Sequence, residues 1–484
     1  MDPDRMTNAH RVRRVAVVGA GPAGLFAAQA LAGQDELPVH VDLLDRMPTP
    51  FGLLRYGVAP DHESIRSVAT ALARTLDLEA VTFWGLVEVG RDVSRAELLE
   101  AYDAVIYAVG ASEDVRLGIP GEDLSGSRSA REFVAWYGGH PDARPQPLDG
   151  VRAVATVGVG NVAVDLARIL LKEARSLRVT DMAEPVLEEL ARSEVRDVWI
   201  VGRRGPQHAS YTTKELRELV ATPGIDVTVS EGAFDGLDEA ALDRRTRANV
   251  QLLRGLPIEG DGAPASDGGR RRLHFAFYAR PVEMTERDGR VDGLTVERTR
   301  LLPDGSVEGT GSLETLDVQL VLRAVGYRGS PLADVPFDRT RAIIPNVEGR
   351  VVDEAGVRQP REYCTGWVKR GPIGVIGTNK SDAAQTVAHV LADLQAAEDA
   401  PRDPQGGRVE EPGAVADPGT GEGHRPGASR DGVGPVLCAR GHHPSTLADW
   451  RAIDAAEIEL GRGEGRERVK VSTWEELLRL VTDH

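Results

Sequence analysis

The sequence predicts an α/β protein with two parallel sheets, and three observations carry that prediction. Two stretches run from a buried strand through a tight glycine turn into a helix: Val15-Ala16-Val17-Val18-Gly19-Ala20-Gly21-Pro22-Ala23-Gly24 and Val154-Ala155-Thr156-Val157-Gly158-Val159-Gly160-Asn161-Val162-Ala163. Each is followed by a second apolar strand, Val39-His40-Val41-Asp42-Leu43-Leu44 after the first and Val198-Trp199-Ile200-Val201 after the second. The chain has 484 residues, 41% of them hydrophobic, which is more than one core usually serves and enough for two.

In the first stretch, consecutive β-branched or small apolar residues suit a strand buried on both faces of a parallel sheet. Gly19 permits the turn, Gly21 lets the backbone approach a pyrophosphate, and Gly24 lets the helix pack close to the strand. The helix N-terminus offers unpaired N–H groups and a positive dipole end. A lone glycine turn says little in a chain with 53 glycines. Context strengthens it: residues 25–31 continue as helix, and Asp45 ends the second strand about 20 residues on, where a ribose hydroxyl needs an acceptor.

The run Pro48-Thr49-Pro50-Phe51-Gly52-Leu53-Leu54-Arg55-Tyr56-Gly57-Val58-Ala59-Pro60-Asp61-His62 is too rich in proline and glycine for a helix or central strand. An apolar loop of this kind packs against something flat, and a flavin is one candidate. Asp61 suits the cap of a helix over residues 63–76. His62 reads either as a histidine bonded to nearby backbone or as a functional group. Residues 102–111 and 321–327 are apolar runs ending near glycine, and they mark chain crossings between a first domain and a second one inserted into it.

The second turn is GxGxxA, with Ala163 in place of the third glycine. Its partner strand ends in Gly202-Arg203-Arg204-Gly205. Where an NAD site places an acid, this chain places two guanidiniums, which match phosphate geometry and stay charged, so the 2′-phosphate of NADP is the expected ligand. Glu215 and Glu218 follow on a helix, where glutamates are usually solvated. Arg244, Arg245 and Arg247 form a basic helix over residues 243–254 that is either solvated or docks an acidic partner. Arg270-Arg271-Arg272 reads as the flank of a hairpin. The glycine-rich run from Gly366 to Asn379 leads into a helix over residues 382–394, a third place for backbone N–H groups to meet a ligand. Residues 400–434 read as a disordered linker, after which apolar residues return and end in a helix over residues 474–481.

Composition narrows the function classes. Lys and Arg total 58 against 75 Asp and Glu, a net charge of −17, so there is no net attraction to nucleic acid or anionic membrane. The polar, basic first 14 residues do not resemble a signal sequence, and no apolar run reaches the roughly 18 residues of a membrane span. A soluble, cytoplasmic protein is expected. The only cysteines, Cys364 and Cys438, are far apart in sequence, which excludes a four-thiolate cluster and a C-x-x-C disulfide. No metal site is expected.

Taken together, Gly19-Ala20-Gly21-Pro22-Ala23-Gly24, Pro50-Phe51-Gly52-Leu53, Gly57-Val58-Ala59-Pro60-Asp61-His62, Gly160-Asn161-Val162-Ala163, Gly202-Arg203-Arg204-Gly205-Pro206, Lys214-Glu215-Leu216-Arg217-Glu218 and Gly366-Trp367-Val368-Lys369-Arg370-Gly371-Pro372 resemble the adrenodoxin reductase family of ferredoxin–NADP+ reductases, bacterial members included. The resemblance covers nearly the whole chain. It implies a noncovalent FAD held by Gly19, Gly21, Ala23, Gly24, Asp45, Leu53, Val89, Trp367 and Gly374, Val375 and Ile376. NADPH would contact Val159, Gly160, Asn161, Val162, Arg203, Arg204, Glu215 and Gly374. His62, Asp165 and Glu215 fall at positions tied to proton handling and electron transfer, and Arg244, Arg245 and Arg247 fall near a ferredoxin-docking region.

The implied layout is two Rossmann-like domains: residues 1–110 and 326–399 for FAD, residues 111–325 inserted for NADP, a linker over 400–434, and a segment over 435–484 packing on the FAD domain. The implied activity is hydride transfer from NADPH to FAD, then single electrons to an iron–sulfur protein of the ferredoxin type, with supply of a cytochrome P450 as one use. Alternatives are a flavoprotein oxidase or monooxygenase, an electron-input subunit of a larger synthase, and a non-catalytic redox sensor. Two departures stand out: Asp45 where the family has glutamate, and Gln207-His208 where it has apolar residues. The linker is also long.

Overall fold

The computed structural model describes residues 11–259, 270–399 and 431–482. Most of the expected linker, residues 400–430, lies outside them. The last four residues of that range are described, and a helix, Gly434–Ala439, already begins at the last of them.

The first glycine turn sits in a seven-stranded sheet whose five parallel strands are, in spatial order, Arg358–Cys364, Ala104–Tyr107, Arg13–Val18, Val39–Leu44 and Val81–Trp84. Two short antiparallel strands, Asn346–Val347 and Arg350–Val352, extend one edge. The second turn sits in a six-stranded sheet, entirely parallel, whose strands all fall between Ser127 and Arg323. In both, the turn strand lies inside the sheet with neighbours on each side. That is the crossover point where open parallel sheets bind ligands beyond their strand C-termini.

The passage between sheets is a two-stranded antiparallel ribbon, Glu113–Asp114 against Tyr327–Arg328, so the chain leaves the first sheet and returns side by side. Three long antiparallel strands, Ala279–Arg287, Arg290–Leu301 and Val307–Leu316, form a separate small sheet. Arg271 and Arg272 open the inner parallel strand Arg271–Phe277; the hairpin expected beside them starts only after that strand. The basic flank is therefore a strand start, with Arg271 donating to the Lys172 carbonyl at 2.6 Å and Arg272 held by Asp197.

The segment after residue 431 touches both halves. Trp450 packs edge-on against Phe51 at 5.7 Å and under the Arg55 guanidinium at 5.2 Å, and Arg55 pairs with Glu457 through a buried bond of 3.0 Å. Further along, the Arg466 guanidinium donates to the Thr180 carbonyl and the Lys470 main chain to the Asp181 carbonyl at 3.0 Å. The tail thus straps the second sheet's unit as well as the first. No described helix is long and apolar enough to cross a membrane.

Candidate functional site

At the first turn Gly19 has φ +106°, and a Cβ there would collide with the carbonyl of Ala108, just past the adjoining strand Ala104–Tyr107. A Cβ on Gly24 would overlap the Gly19 carbonyl, so helix and turn approach as only glycine allows. Gly21 faces open space and caps the helix Pro22–Ala32 without any side-chain bond, leaving the first N–H groups available; Pro22 at the start lacks one anyway. Ala23 is buried beneath, touching the backbone at Gly366.

Asp45 serves the turn itself. One carboxylate oxygen accepts the Ala20 N–H at 2.7 Å and the other the Met47 N–H at 2.9 Å. Burial pushes its carboxyl above the ordinary value, against the pull of those two bonds. Each oxygen keeps a second lone pair for a hydroxyl donor. The loop after it closes over the turn: the Phe51 N–H donates to the Ala20 carbonyl at 2.8 Å, and Gly52 lies against Gly21, where a Cβ would stand 3.0 Å from its Cα. Leu53 is partly exposed at the start of the helix Leu53–Tyr56. Trp367 begins another short helix and stacks on Tyr327 of the connecting ribbon at 5.6 Å. Gly374 and Val375 are exposed and Ile376 half-buried in the loop that follows. Val89 is different: its side chain is buried in the core with Val18 and Leu44, so only its main chain can face a ligand.

The second turn repeats the geometry in a more open setting. Gly158 has φ +136°, and a Cβ there would strike the Ala324 carbonyl. Gly160 caps the helix Asn161–Leu171 with no side-chain bond. Val159 accepts the Ser210 N–H at 2.9 Å through its carbonyl, and Asn161 accepts the Thr212 N–H at 2.9 Å, tying the turn to the start of the helix Thr213–Val220. Val162 is partly buried against the core. Arg203 is exposed and Arg204 half-buried at the strand end, and neither guanidinium makes a hydrogen bond or ion pair among the described residues. Most arginines among the described residues are paired, which makes these two suited to an anion. Gln207 and His208 follow in a short 3-10 turn, with the Gln207 amide donating to the Tyr278 hydroxyl at 3.2 Å. Burial, reinforced by the Arg204 charge, holds His208 below the ordinary histidine range.

Between the two turns lies a buried charged seam. Asp165 and Arg168 come from the helix of the second turn; His62 comes from the loop of the first unit. His62 Nε2 lies 2.9 Å from Asp165 Oδ1, 3.9 Å from a Glu215 oxygen, and its Nδ1 lies 3.5 Å from Glu218. Burial lowers the His62 pKa, but the bond to Asp165 and its charge outweigh burial and the opposing Arg168, leaving the imidazole above its ordinary value. The Arg168 guanidinium, its Nη2 3.0 Å from His62 Nε2, opposes that protonation through its positive charge. Glu215 is buried, contrary to the solvated face expected of a helical glutamate; burial raises its pKa, and its Oε2 has no partner.

Asp61 is not the cap expected for the next helix. Its carboxylate accepts two bonds from Arg168, at 2.8 and 2.9 Å, and one from Lys172 at 2.6 Å. Although burial raises it, these partners hold its carboxyl well below the carboxylate range. His62 takes the cap position instead, without a side-chain cap bond, and the helix ends at Ala73 before a 3-10 turn. Arg168 and Lys172 were missed by sequence reasoning, and the only available signal was their spacing of four at the end of the helix that carries Asp165, with Lys172 its C-cap.

Comparison with known proteins puts this geometry in a family. The chain is 42% identical over 479 residues to NADPH-ferredoxin reductase FprA of Mycobacterium tuberculosis, covering 96% of this chain and 98% of that one. The chain belongs to the adrenodoxin reductase family of ferredoxin–NADP reductases. Human mitochondrial NADPH:adrenodoxin oxidoreductase, another member, is 38% identical over 482 residues, covering 97% and 92%. The structure of Mycobacterium tuberculosis FprA in complex with NADPH superposes with a TM-score of 0.86 at 40% identity, covering 98% of this chain and 100% of that one. A broader family model, pyridine nucleotide-disulphide oxidoreductase, matches residues 13–199. In this reductase family member Cys364 is buried and Cys438 exposed, and neither is paired.

Proposed function

We propose that the protein is an NADPH-dependent FAD flavoenzyme that delivers electrons to a ferredoxin-type iron–sulfur protein. The observation that carries this reading is the opposite chemistry of two like turns across one buried seam: an acid at the strand end of the first, two unpaired arginines at that of the second. When bound, FAD accepts a hydride from NADPH, which leaves as NADP+, and gives up the two electrons singly.

The residues present fit both groups. Gly21 offers a cradle that no Cβ fills, beside uncapped helix N–H groups suited to the FAD pyrophosphate. Asp45 holds that turn rigid and keeps acceptor capacity for a ribose hydroxyl. Leu53, Trp367 and the loop at Gly374, Val375 and Ile376 supply apolar and main-chain surface, and Val89 contributes through its backbone. At the second turn, Val159, Gly160, Asn161 and Val162 receive the NADPH pyrophosphate, and Arg203 and Arg204 pair with its 2′-phosphate. The unpartnered Glu215 Oε2 accepts from a donor on the nicotinamide end. His62, backed by Asp165, holds a proton next to that buried acid. The NADPH unit spans residues 111–325 and is inserted into an FAD unit, a division supported by the paired ribbon at the crossing.

For the iron–sulfur partner, Arg244 and Arg245 present exposed charge at the start of the helix Arg244–Arg254. Arg247 donates to the carbonyls of Glu239, Ala240 and Leu242, so its contribution is to shape that helix start. The unpaired cysteines accord with a reducing cytoplasm. The test is ferredoxin-dependent cytochrome c reduction with NADPH and NADH compared. Strong dependence on both ferredoxin and NADPH is expected; rapid NADPH oxidation by oxygen, unchanged by ferredoxin, would overturn the reading.

A further inference from the structure

The seam holds more charge than the proton-handling group requires. Arg168 sits in the third turn of the helix Asn161–Leu171, with its side chain 2% exposed. Its guanidinium grips both oxygens of Asp61 and also bonds Asp165 at 2.8 Å, while Lys172, just past the helix, bonds Asp61 again. Asp61 belongs to the loop that closes over the first turn, so these bonds run between the two sheet units. We infer that Asp61, Arg168 and Lys172 form a clamp between the two units that sets the distance between the dinucleotide turns, making Asp61 and Arg168 positioning residues for hydride transfer.

Helix geometry gives the clamp its leverage. Arg168 is seven residues from Asn161, about 10 Å along the axis at 1.5 Å per residue. Fixing the helix at Arg168 therefore fixes the glycine turn at its head. A bidentate Arg–carboxylate pair constrains orientation as well as distance, which a single lysine contact does not. The pair is ionised throughout the working range, because its partners hold Asp61 low and its acids hold Arg168 high. A second tie stands behind it. Lys470 donates to the Gly138 carbonyl at 3.1 Å and to the Arg55 carbonyl, and its main chain bonds Asp181, so loss of the clamp loosens the seam without separating the units. Misplacement of reacting groups by about 1 Å costs on the order of 100-fold in rate, so modest loosening is visible in the chemical step before it is visible in binding.

This inference rests on the proposed NADPH-to-FAD reading, and the test separates the two. In the holoenzyme, Asp61→Asn removes the charge at constant shape and Asp61→Glu retains it. The readouts are single-turnover flavin reduction at saturating NADPH, the NADPH Kd, and the distance distribution between spin labels on Val347→Cys and Glu188→Cys, both exposed, in a Cys438→Ser background. Asp61→Asn is expected to slow flavin reduction at least tenfold with FAD content and Kd within twofold, and to broaden the distance distribution. Asp61→Glu is expected to recover the rate to within threefold and the narrow distribution. An unslowed Asp61→Asn enzyme, or an unchanged distribution, overturns the clamp. If Asp61→Asn fails to retain FAD, Arg168→Lys, which keeps charge but loses the fork, must give the same pattern or the clamp falls. Failure of NADPH to reduce the unsubstituted enzyme would sink the functional reading instead, and the distance measurement would still judge the clamp.

Discussion

The two glycine turns share strand, turn and uncapped helix, yet differ in what closes around them. The first is shut in: Phe51 bonds its backbone, Gly52 lies against Gly21, Gly366 presses on Ala23, and the tail reinforces the loop through Trp450 and Glu457. Beside the second, Arg203 is exposed and Arg204 half-buried, and Ala163 replaces the glycine that the tighter first turn requires. Enclosure suits a resident cofactor, and openness suits a nucleotide that must enter and leave on each cycle. Local sequence makes the nucleotide turn; the residues brought against it from elsewhere decide residence or exchange.

The largest effect that sharpens this contrast comes from exchanging the third small residue of each turn. Gly24→Ala places a methyl group on the Gly19 carbonyl; overpacking of this kind costs about 1–3 kcal/mol or more, and loss of FAD from the purified protein is expected. Ala163→Gly creates no clash and costs only about 1 kcal/mol of helix propensity, with FAD retained. Flavin-to-protein ratio and denaturant midpoints check both, and equal losses would erase the distinction.

Next in size is the strand-end chemistry. Charge-assisted bonds contribute roughly 1.5–3 kcal/mol each, so Arg203→Ala and Arg204→Ala should each weaken NADPH by about tenfold or more, with NADH little changed. Calorimetric titration with both nucleotides decides it; parallel loss of NADH would break the phosphate assignment.

The seam supplies a pH signature. Because the His62 pKa is raised on folding, its stabilising contribution is fully present below its unfolded value of about 6.5 and is lost as pH rises through the higher folded value. The gap in unfolding free energy between the unsubstituted protein and His62→Gln should therefore be widest in mild acid and close toward alkaline pH. A gap that widens with pH would mean that His62 is buried neutral.

The smallest effect is expected at the helix Arg244–Arg254, proposed above to meet the iron–sulfur partner. Neutralising Arg244 and Arg245 should slow ferredoxin reduction severalfold and blunt its salt dependence, with ferricyanide reduction unaffected. Stopped-flow measurements across ionic strength check this, and an unaltered salt slope would move the docking surface elsewhere.

What was legible in the sequence is what is local. The glycine turns, their strands, the acid at Asp45 and the arginines at Arg203 and Arg204 lie within single βαβ units, where spacing encodes geometry. The clamp was hidden because Asp61 and Arg168 stand 107 positions apart, and locally Asp61 has every mark of a helix cap. The Arg55–Glu457 pair spans 402 positions and has no periodic signal. Burial of Glu215 was equally invisible, since a helical glutamate reads as solvated until the opposing unit covers it.

The closed turn is proposed to hold FAD and the open turn to bring NADPH to it. Anaerobic titration of the FAD-loaded protein tests it most directly, following the flavin absorbance as NADPH or NADH is added. One equivalent of NADPH should bleach the flavin, with NADH far less effective at equal concentration. Failure of NADPH to bleach it, or equal bleaching by both nucleotides, would contradict the account.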